Sequence, residues 1–459
     1  MSPHRTDFAH GDIRKNMIDL ALPLLAAQIL NLLYNVVDRI YIARIPEVGT
    51  DALTGLGICF PIIAIITAFG NLFSMGGTPL CAMRQGEGRE EEAENIIGNV
   101  FVMLLITSAV LMATIYPFRQ PILYVFGASD VTFPYANDYL SIYLLGTFFA
   151  VVGLGMNNFI NCQGFGRTGM ITIAIGAVAN IILDPIFIFL FDMGVKGAAI
   201  ATIISQGISA LWVMKFMTGP KAVLKLRIRA MKVKLRRITS IVSLGLSSFV
   251  MSVTGSAVQV VANSSLQFYG GDLYVCAITV INTIRDIVTL PALSLSNGSI
   301  PALSYRYGAK AYDEVRRGIR FLIGVFVSYA VIAWGILLCF PRILIRIFNS
   351  DPALLEIAVP SLRMFFLCFC MMALQFSGQT AFLALGKAKQ ATFFSLLRKA
   401  FIVIPLMVIL PRFDGIGVHG IFLAEPISDL IGGGACFLTM ILTVLPELKK
   451  KYRHIEHSL

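Results

Sequence analysis

Gly77-Thr-Pro79 with Arg84-Gln-Gly86, and Ser299-Ile-Pro301 with Arg306-Tyr-Gly308, are one motif written twice in this chain, with identical internal spacing. A displacement of about 222 residues superimposes them. The same displacement sets Phe126 and Asp130 against Phe348 and Asp351 to within one residue. It also sets Gly164 and Arg167 against Gly386 and Lys389, and Gly194-Val-Lys-Gly197 against Gly417-Val-His-Gly420. The matching residues are those that constrain a backbone, not generic Leu and Ile, so the chain is a tandem of two homologous halves.

Each half is apolar. Hydrophobic residues make up 57% of the 459 and charged ones only 14%, far from the balance of a soluble domain. A bilayer core takes about 20 apolar residues per helix. Twelve such stretches are present, near 17–44, 52–82, 95–117, 136–161, 168–191 and 196–218, then 238–268, 273–304, 319–341, 358–384, 391–411 and 417–445. They are long and continuous rather than alternating, which selects helices over a β-barrel. The predicted fold is an all-α polytopic membrane protein. Six spans per half insert both halves the same way, giving two parallel six-helix bundles related by a pseudo-twofold axis along the membrane normal. The predicted divisions are an N-terminal lobe over 1–218, a basic linker over 219–237, a C-terminal lobe over 238–446 and a tail over 447–459.

Charge orients the chain. With the helices alternating across the membrane, 28 of the 37 Lys and Arg fall on the side of the termini and 7 on the other, leaving Arg285 and Arg363 within helices. The positive-inside rule then predicts cytoplasmic termini, in the inner membrane of a prokaryotic cell. The net charge of +11 is thus membrane-flanking, not a nucleic-acid surface. The linker, from Lys221 to Arg237, reads as a topology anchor that can also meet anionic headgroups. The polar start from Met1 to Asn16 lacks the apolar core and cleavage site of a signal peptide, so the first helix is expected to be retained. Eight cysteines lie mostly inside apolar helices without ligand spacing and read as small buried hydrophobes.

Ionisable residues within helices cost roughly 2.5–3.5 kcal/mol each on insertion scales, which makes each a functional candidate. The first half has Asp38 and Asp184. Asn31, Asn35 and Asp38 stand at i, i+4, i+7, a polar stripe along helix one. Asn180 and Asp184 stand at i, i+4 on helix five and offer an amide oxygen and a carboxylate on one face. Such oxygens suit a hard cation or a proton. Pro23 and Pro185 each free a backbone carbonyl and bend their helices, Pro185 within a turn of both site residues. The second half differs, with Arg285 and Asp286 on helix eight, Arg363 on helix ten, and Glu425 and Asp429 on helix twelve. Opposite signs there suggest mutual neutralisation, with anion recognition by Arg285 or Arg363 as the alternative. Gln28, Gln206, Asn282, Gln375 and Gln379 are further cavity candidates.

The loop Arg84-Gln-Gly-Glu-Gly-Arg-Glu-Glu-Glu-Ala93 and its repeat lack the Gly/Asp/Arg pattern of major-facilitator transporters. Together with Val37-Asp-Arg-Ile-Tyr-Ile-Ala-Arg44, Asn180-Ile-Ile-Leu-Asp-Pro-Ile-Phe-Ile-Phe189 and Gly194-Val-Lys-Gly-Ala-Ala-Ile-Ala-Thr202, it resembles the multidrug and toxic compound extrusion (MATE) family, in its bacterial MepA-like branch. The resemblance spans almost the whole chain. It implies a cation site in the N-terminal half built from Asp38, Asn180 and Asp184, with Thr202 and Asn157 as further members. Helix seven carries only Gln259 and Asn263 where some family members have glutamates, so no second cation site is expected.

The function expected is secondary active export of small organic molecules, of the cationic multidrug type, by antiport with H⁺ or Na⁺ through alternating access of the lobes. The alternatives are export of anionic metabolites or flipping of a lipid-linked amphiphile. No phosphate-binding Gly-x-x-x-x-Gly-Lys-Ser/Thr motif supports an ATP-driven pump, and no nucleophile, base and orienter cluster supports an enzyme. No cofactor is expected beyond the coupling ion, no metal beyond Na⁺, and the working unit is expected to be a monomer in the bilayer.

Overall fold

A computed structural model describes residues 5–348 and 351–456. The first four residues of the N-terminal lobe and the last three of the tail lie outside them. Twelve helical spans run through the described residues: α1 (Ile13–Ala43), α2 (Gly49–Gly86), α3 (Glu90–Val125), α4 (Phe133–Leu145 with Thr147–Cys162), α5 (Gly166–Leu190) and α6 (Gly194–Thr218) form one lobe. The other holds α7 (Leu235–Gly270), α8 (Asp272–Gly308), α9 (Tyr312–Cys339), α10 (Pro352–Phe365 with Phe369–Ala384), α11 (Ala388–Arg412) and α12 (His419–His454). The expected spans at 136–161 and 358–384 are each broken. α4 bends by 57° at Gly146 and α10 by 41° just before Phe369, at equivalent places in the repeat.

The first helix of each lobe packs on the other lobe as well as its own. Met17 and Leu20 of α1 belong to the same buried cluster as Leu303, Phe382 and Met440 of the C-terminal lobe. Ile241 of α7 is buried with Val100 and Phe159 of the N-terminal lobe. Each lobe therefore buries apolar surface contributed by the other, near the end that carries the termini.

At that same end the backbones touch reciprocally. A methyl group on Gly86 would sit 2.0 Å from the Tyr305 carbonyl oxygen, and one on Gly308 would sit 2.1 Å from that of Met83. Gly86 and Gly308 are equivalent in the repeat, as are Met83 and Tyr305, so the contact is the pseudo-twofold in atomic form. Only glycine permits this approach. The segment before α1 spans the seam. The Thr6 amide donates to the Gly164 carbonyl at 2.9 Å, while Arg306 donates to the carbonyls of Ala9 at 2.9 Å and Gly11 at 2.6 Å.

The linker is pinned to the N-terminal lobe. Gln163 Oε1 accepts from the amides of Val223 (2.9 Å) and Leu224 (2.8 Å). The Asn99 amide group bonds the backbone of Ala230, Lys232 and Lys234. Arg237 forks onto Glu92 with two bonds of 2.8 Å.

Candidate functional site

In the N-terminal lobe Asp38, Asn180 and Asp184 come together, all buried. Asn180 Nδ2 donates to Asp184 Oδ1 at 3.0 Å, the bond that their i, i+4 spacing on α5 allows. The carboxyl groups of Asp38 and Asp184 lie within hydrogen-bonding reach of each other. Asp38 Oδ1, Asp184 Oδ2 and Asn180 Oδ1 are buried with no hydrogen-bond partner. Buried oxygens are seldom left bare, and such a set has the chemistry to take up a shared proton or a small hard cation. Arg39, next to Asp38, instead lies over the Phe60 ring at 4.5 Å. After Pro185, which cannot donate to the Ile181 carbonyl, α5 widens into a π-helical turn over Ile186–Leu190.

A cavity of 250 Å³ adjoins this group, lined by Asn31, Tyr34, Tyr143, Asn157, Thr202 and Gln206 among others. Tyr34 stands one helical turn before Asp38 on α1 and links the carboxyl pair to the cavity wall. The Asn35 side chain donates to the Asn31 carbonyl at 2.6 Å, which secures the helix-one stripe. Asn157 donates to the Gly169 carbonyl at 3.3 Å and leaves its own Oδ1 bare. Pro23 lies in α1 well before Asp38, and Gln28 lines neither this cavity nor the one described next.

The C-terminal lobe holds a cavity of 230 Å³ lined by Gln259, Asn282, Arg285, Arg398, Lys399 and Glu425, with Met and Phe walls. Glu425 is the hub. Its Oε1 meets Lys399 Nζ at 2.6 Å and Arg285 at 3.7 Å, and its Oε2 meets Arg398 at 3.3 Å. Arg398 also stands 2.7 Å from Asp429 Oδ1, an ion pair whose angle does not make a hydrogen bond. Gln375 sits behind the cavity, 3.5 Å from Arg398. Gln379 instead ties α7 to α11 through Ser247 and Ser395.

Two expectations from charge need correction. Arg398 and Lys399, tallied with the basic flank of α11, lie inside that helix, Arg398 buried and Lys399 half-buried against Glu425, because two acids on α12 compensate them at depth. Arg363, expected at the cavity, is exposed and donates to the Leu338 carbonyl at 3.3 Å, in a hollow with Arg342 and Arg346.

The MatE family model matches residues 23–186 and again 244–409, once in each lobe. The chain belongs to the MatE family. Among similar proteins of this family are the multidrug export protein MepA of Staphylococcus haemolyticus strain JCSC1435, 23% identical over 92% of this chain and 93% of that protein, and MepA of Staphylococcus aureus strain N315, 24% identical with the same coverage. Among solved structures, a multidrug resistance MATE transporter in an outward-facing conformation has a TM-score of 0.89, 20% identity, and covers 98% of this chain and 100% of its own. A MOP superfamily transporter from Pyrococcus furiosus, described as having a binding pocket of reverse polarity, has a TM-score of 0.90 and 20% identity over 98% and 99%.

Within this MatE chain the two cavities are counterparts. Ile63, Gly176, Ala177 and Thr202 line the first, and their repeat equivalents Arg285, Arg398, Lys399 and Glu425 line the second. Conversely, Asp38, Asn180 and Asp184 correspond to Val260, Ile402 and Leu406. Sequence reasoning missed Tyr139 and Tyr143, buried and stacked with ring centroids 6.2 Å apart. Both are buried in the wall between the carboxyl pair and the cavity, which Tyr143, Thr202 and Gln206 line. Their i, i+4 spacing on α4 was the available signal.

Proposed function

We propose that this MatE-family chain is a secondary active exporter of small organic molecules, with the coupling cation, H⁺ or Na⁺, carried by Asp38, Asp184 and Asn180. The observation that supports it is the three bare oxygens of these residues, buried together beside a cavity. The relatives named as multidrug export proteins point the same way. Tyr34, Tyr143 and Phe149 line that cavity with ring faces suited to an organic cation.

In this reading the basic, terminus-bearing end faces the cytoplasm and is closed by the Gly86 and Gly308 contacts. The cation enters from the opposite side, binds between α1 and α5, and alters the bend at Pro185. Cargo leaves, and the cation departs when the lobes reopen inward. One charge crossing 100 mV supplies about 2.3 kcal/mol, enough for roughly a 50-fold gradient.

The test is transport in proteoliposomes under an imposed pH gradient and, separately, a Na⁺ gradient, with a fluorescent organic cation. One gradient is expected to drive movement, and Asp38→Asn, folded as judged by thermal melting, is expected to reduce it to the protein-free background. Movement unaffected by Asp38→Asn defeats the assignment of the carboxylates.

A further inference from the structure

The geometry points to a second binding site, in the C-terminal lobe, where Arg285 backed by Lys399 holds the carboxylate of a small organic acid. The case begins with charge. Arg285, Arg398 and Lys399 bring three cations to one cavity, and Glu425 and Asp429 bring two anions, both buried. Asp286 is 70% exposed, so it neutralises little inside. One positive charge remains without a buried counterpart. That charge belongs to Arg285, whose side chain is 28% exposed and lines the cavity, where a bound monoanion removes the imbalance.

The partners show which cation is available. Lys399 is held by Glu425 at 2.6 Å, and Arg398 by Asp429 at 2.7 Å. Arg285 has only a 3.4 Å contact to Asp286 and a 3.7 Å contact to Glu425. A guanidinium carries five N–H donors in a planar fork, and among the described residues Arg285 makes one hydrogen bond, to Asp286. A carboxylate matches that fork with two parallel bonds. Around it, Met251, Phe365, Met372, Phe376 and Met407 form an adaptable apolar wall, and Asn282 with Gln259 adds a polar edge. A group with one carboxylate and a compact aromatic or aliphatic body fits this chemistry; an organic cation does not.

The position adds an independent argument. This cavity occupies the place in the second repeat that the N-terminal cavity occupies in the first, and the charges replace Ile63, Gly176, Ala177 and Thr202. A lobe needing only structural filler would keep the apolar version, since ion pairs at depth are not a stabilising substitute for packed apolar groups.

The site stands apart from the transport reading, so equilibrium binding tests it without any gradient. Isothermal titration of the purified full-length protein would use 2-naphthoate, with neutral 2-naphthamide as the matched control for apolar and detergent partitioning. Saturable binding of the acid is expected, with the amide about tenfold or more weaker. Arg285→Gln is expected to weaken the acid about tenfold or more. Arg285→Lys, which keeps the charge and loses the fork, falls between, and Arg363→Gln binds as wild type. Equal binding of acid and amide, absence of saturable binding, or wild-type affinity in Arg285→Gln overturns the proposal. If Arg285→Gln gives no cooperative melting transition, Arg285→Lys decides: wild-type affinity for the acid in that variant overturns the fork, and weakened affinity supports it. Failure of gradient-driven transport with binding intact would strike the transport reading alone.

Discussion

The two lobes place a cavity at the same point of the repeat and fill its surroundings with opposite electrostatics. In the N-terminal lobe, two carboxyls and an amide leave three oxygens bare. In the C-terminal lobe, two acids are enclosed by three bases. The same backbone thus serves as a site lacking a positive partner in one half and as a salt-linked cluster with a positive surplus in the other. Duplication supplied the scaffold, and a few side chains decided what each copy can hold.

Stability separates the two most sharply. Glu425→Gln removes the hub of three cations and is expected to destabilise by about 3–5 kcal/mol, read as a large fall in melting temperature. Asp184→Asn, at a carboxylate no base pairs, is expected to melt as wild type or above while losing transport. Equal losses of stability in both variants would break the contrast between the lobes.

A smaller effect is expected at Asn180. Asn180→Ala strips the one amide bond to Asp184 and leaves a buried acceptor unsatisfied, at a cost of about 1–3 kcal/mol. Its apparent affinity for the coupling cation in transport should fall, and binding of 2-naphthoate should not change. Loss of acid binding in this variant would show that the two cavities act as one.

The smallest effect belongs to Tyr139→Phe, which removes the single hydroxyl of a buried ring for about 0.5–1.5 kcal/mol. Transport measured against cation concentration should shift modestly, with maximal rate kept. An abolished maximal rate would place Tyr139 among the groups that handle the cation itself.

Much of this was legible in the sequence. The repeat of Gly77-Thr-Pro79 and Arg84-Gln-Gly86 implied paired bundles, and the structure realises it as the Gly86 and Gly308 contacts. Spacing of i, i+4 and i+7 brought Asn180 to Asp184 and laid out the α1 stripe. Spacing along one helix cannot say which neighbour another helix brings, so the Asp38 to Asp184 approach rested on resemblance alone. Arg398 and Lys399 were misplaced because proximity to a basic loop outweighed their position in an apolar run, while their compensating acids lie on another helix. Arg363 does lie within a helix, but spacing could not say which way its side chain turns, and it turns to the Leu338 carbonyl instead of the cavity.

The pinned linker has a mechanical consequence. Its bonds to Gln163, Asn99, Glu94 and Glu92 hold it against the N-terminal lobe, although sixteen residues separate α6 from α7. The C-terminal lobe is not tethered by a loose string; it is mounted on a bracket that continues through Arg237 into the start of α7. The start of α7, held by Arg237 and by the burial of Ile241, moves with the N-terminal lobe, so a swing of the C-terminal lobe must flex α7 beyond Gly245, and a cut in the linker upstream of Lys234 should leave that flexing point in place.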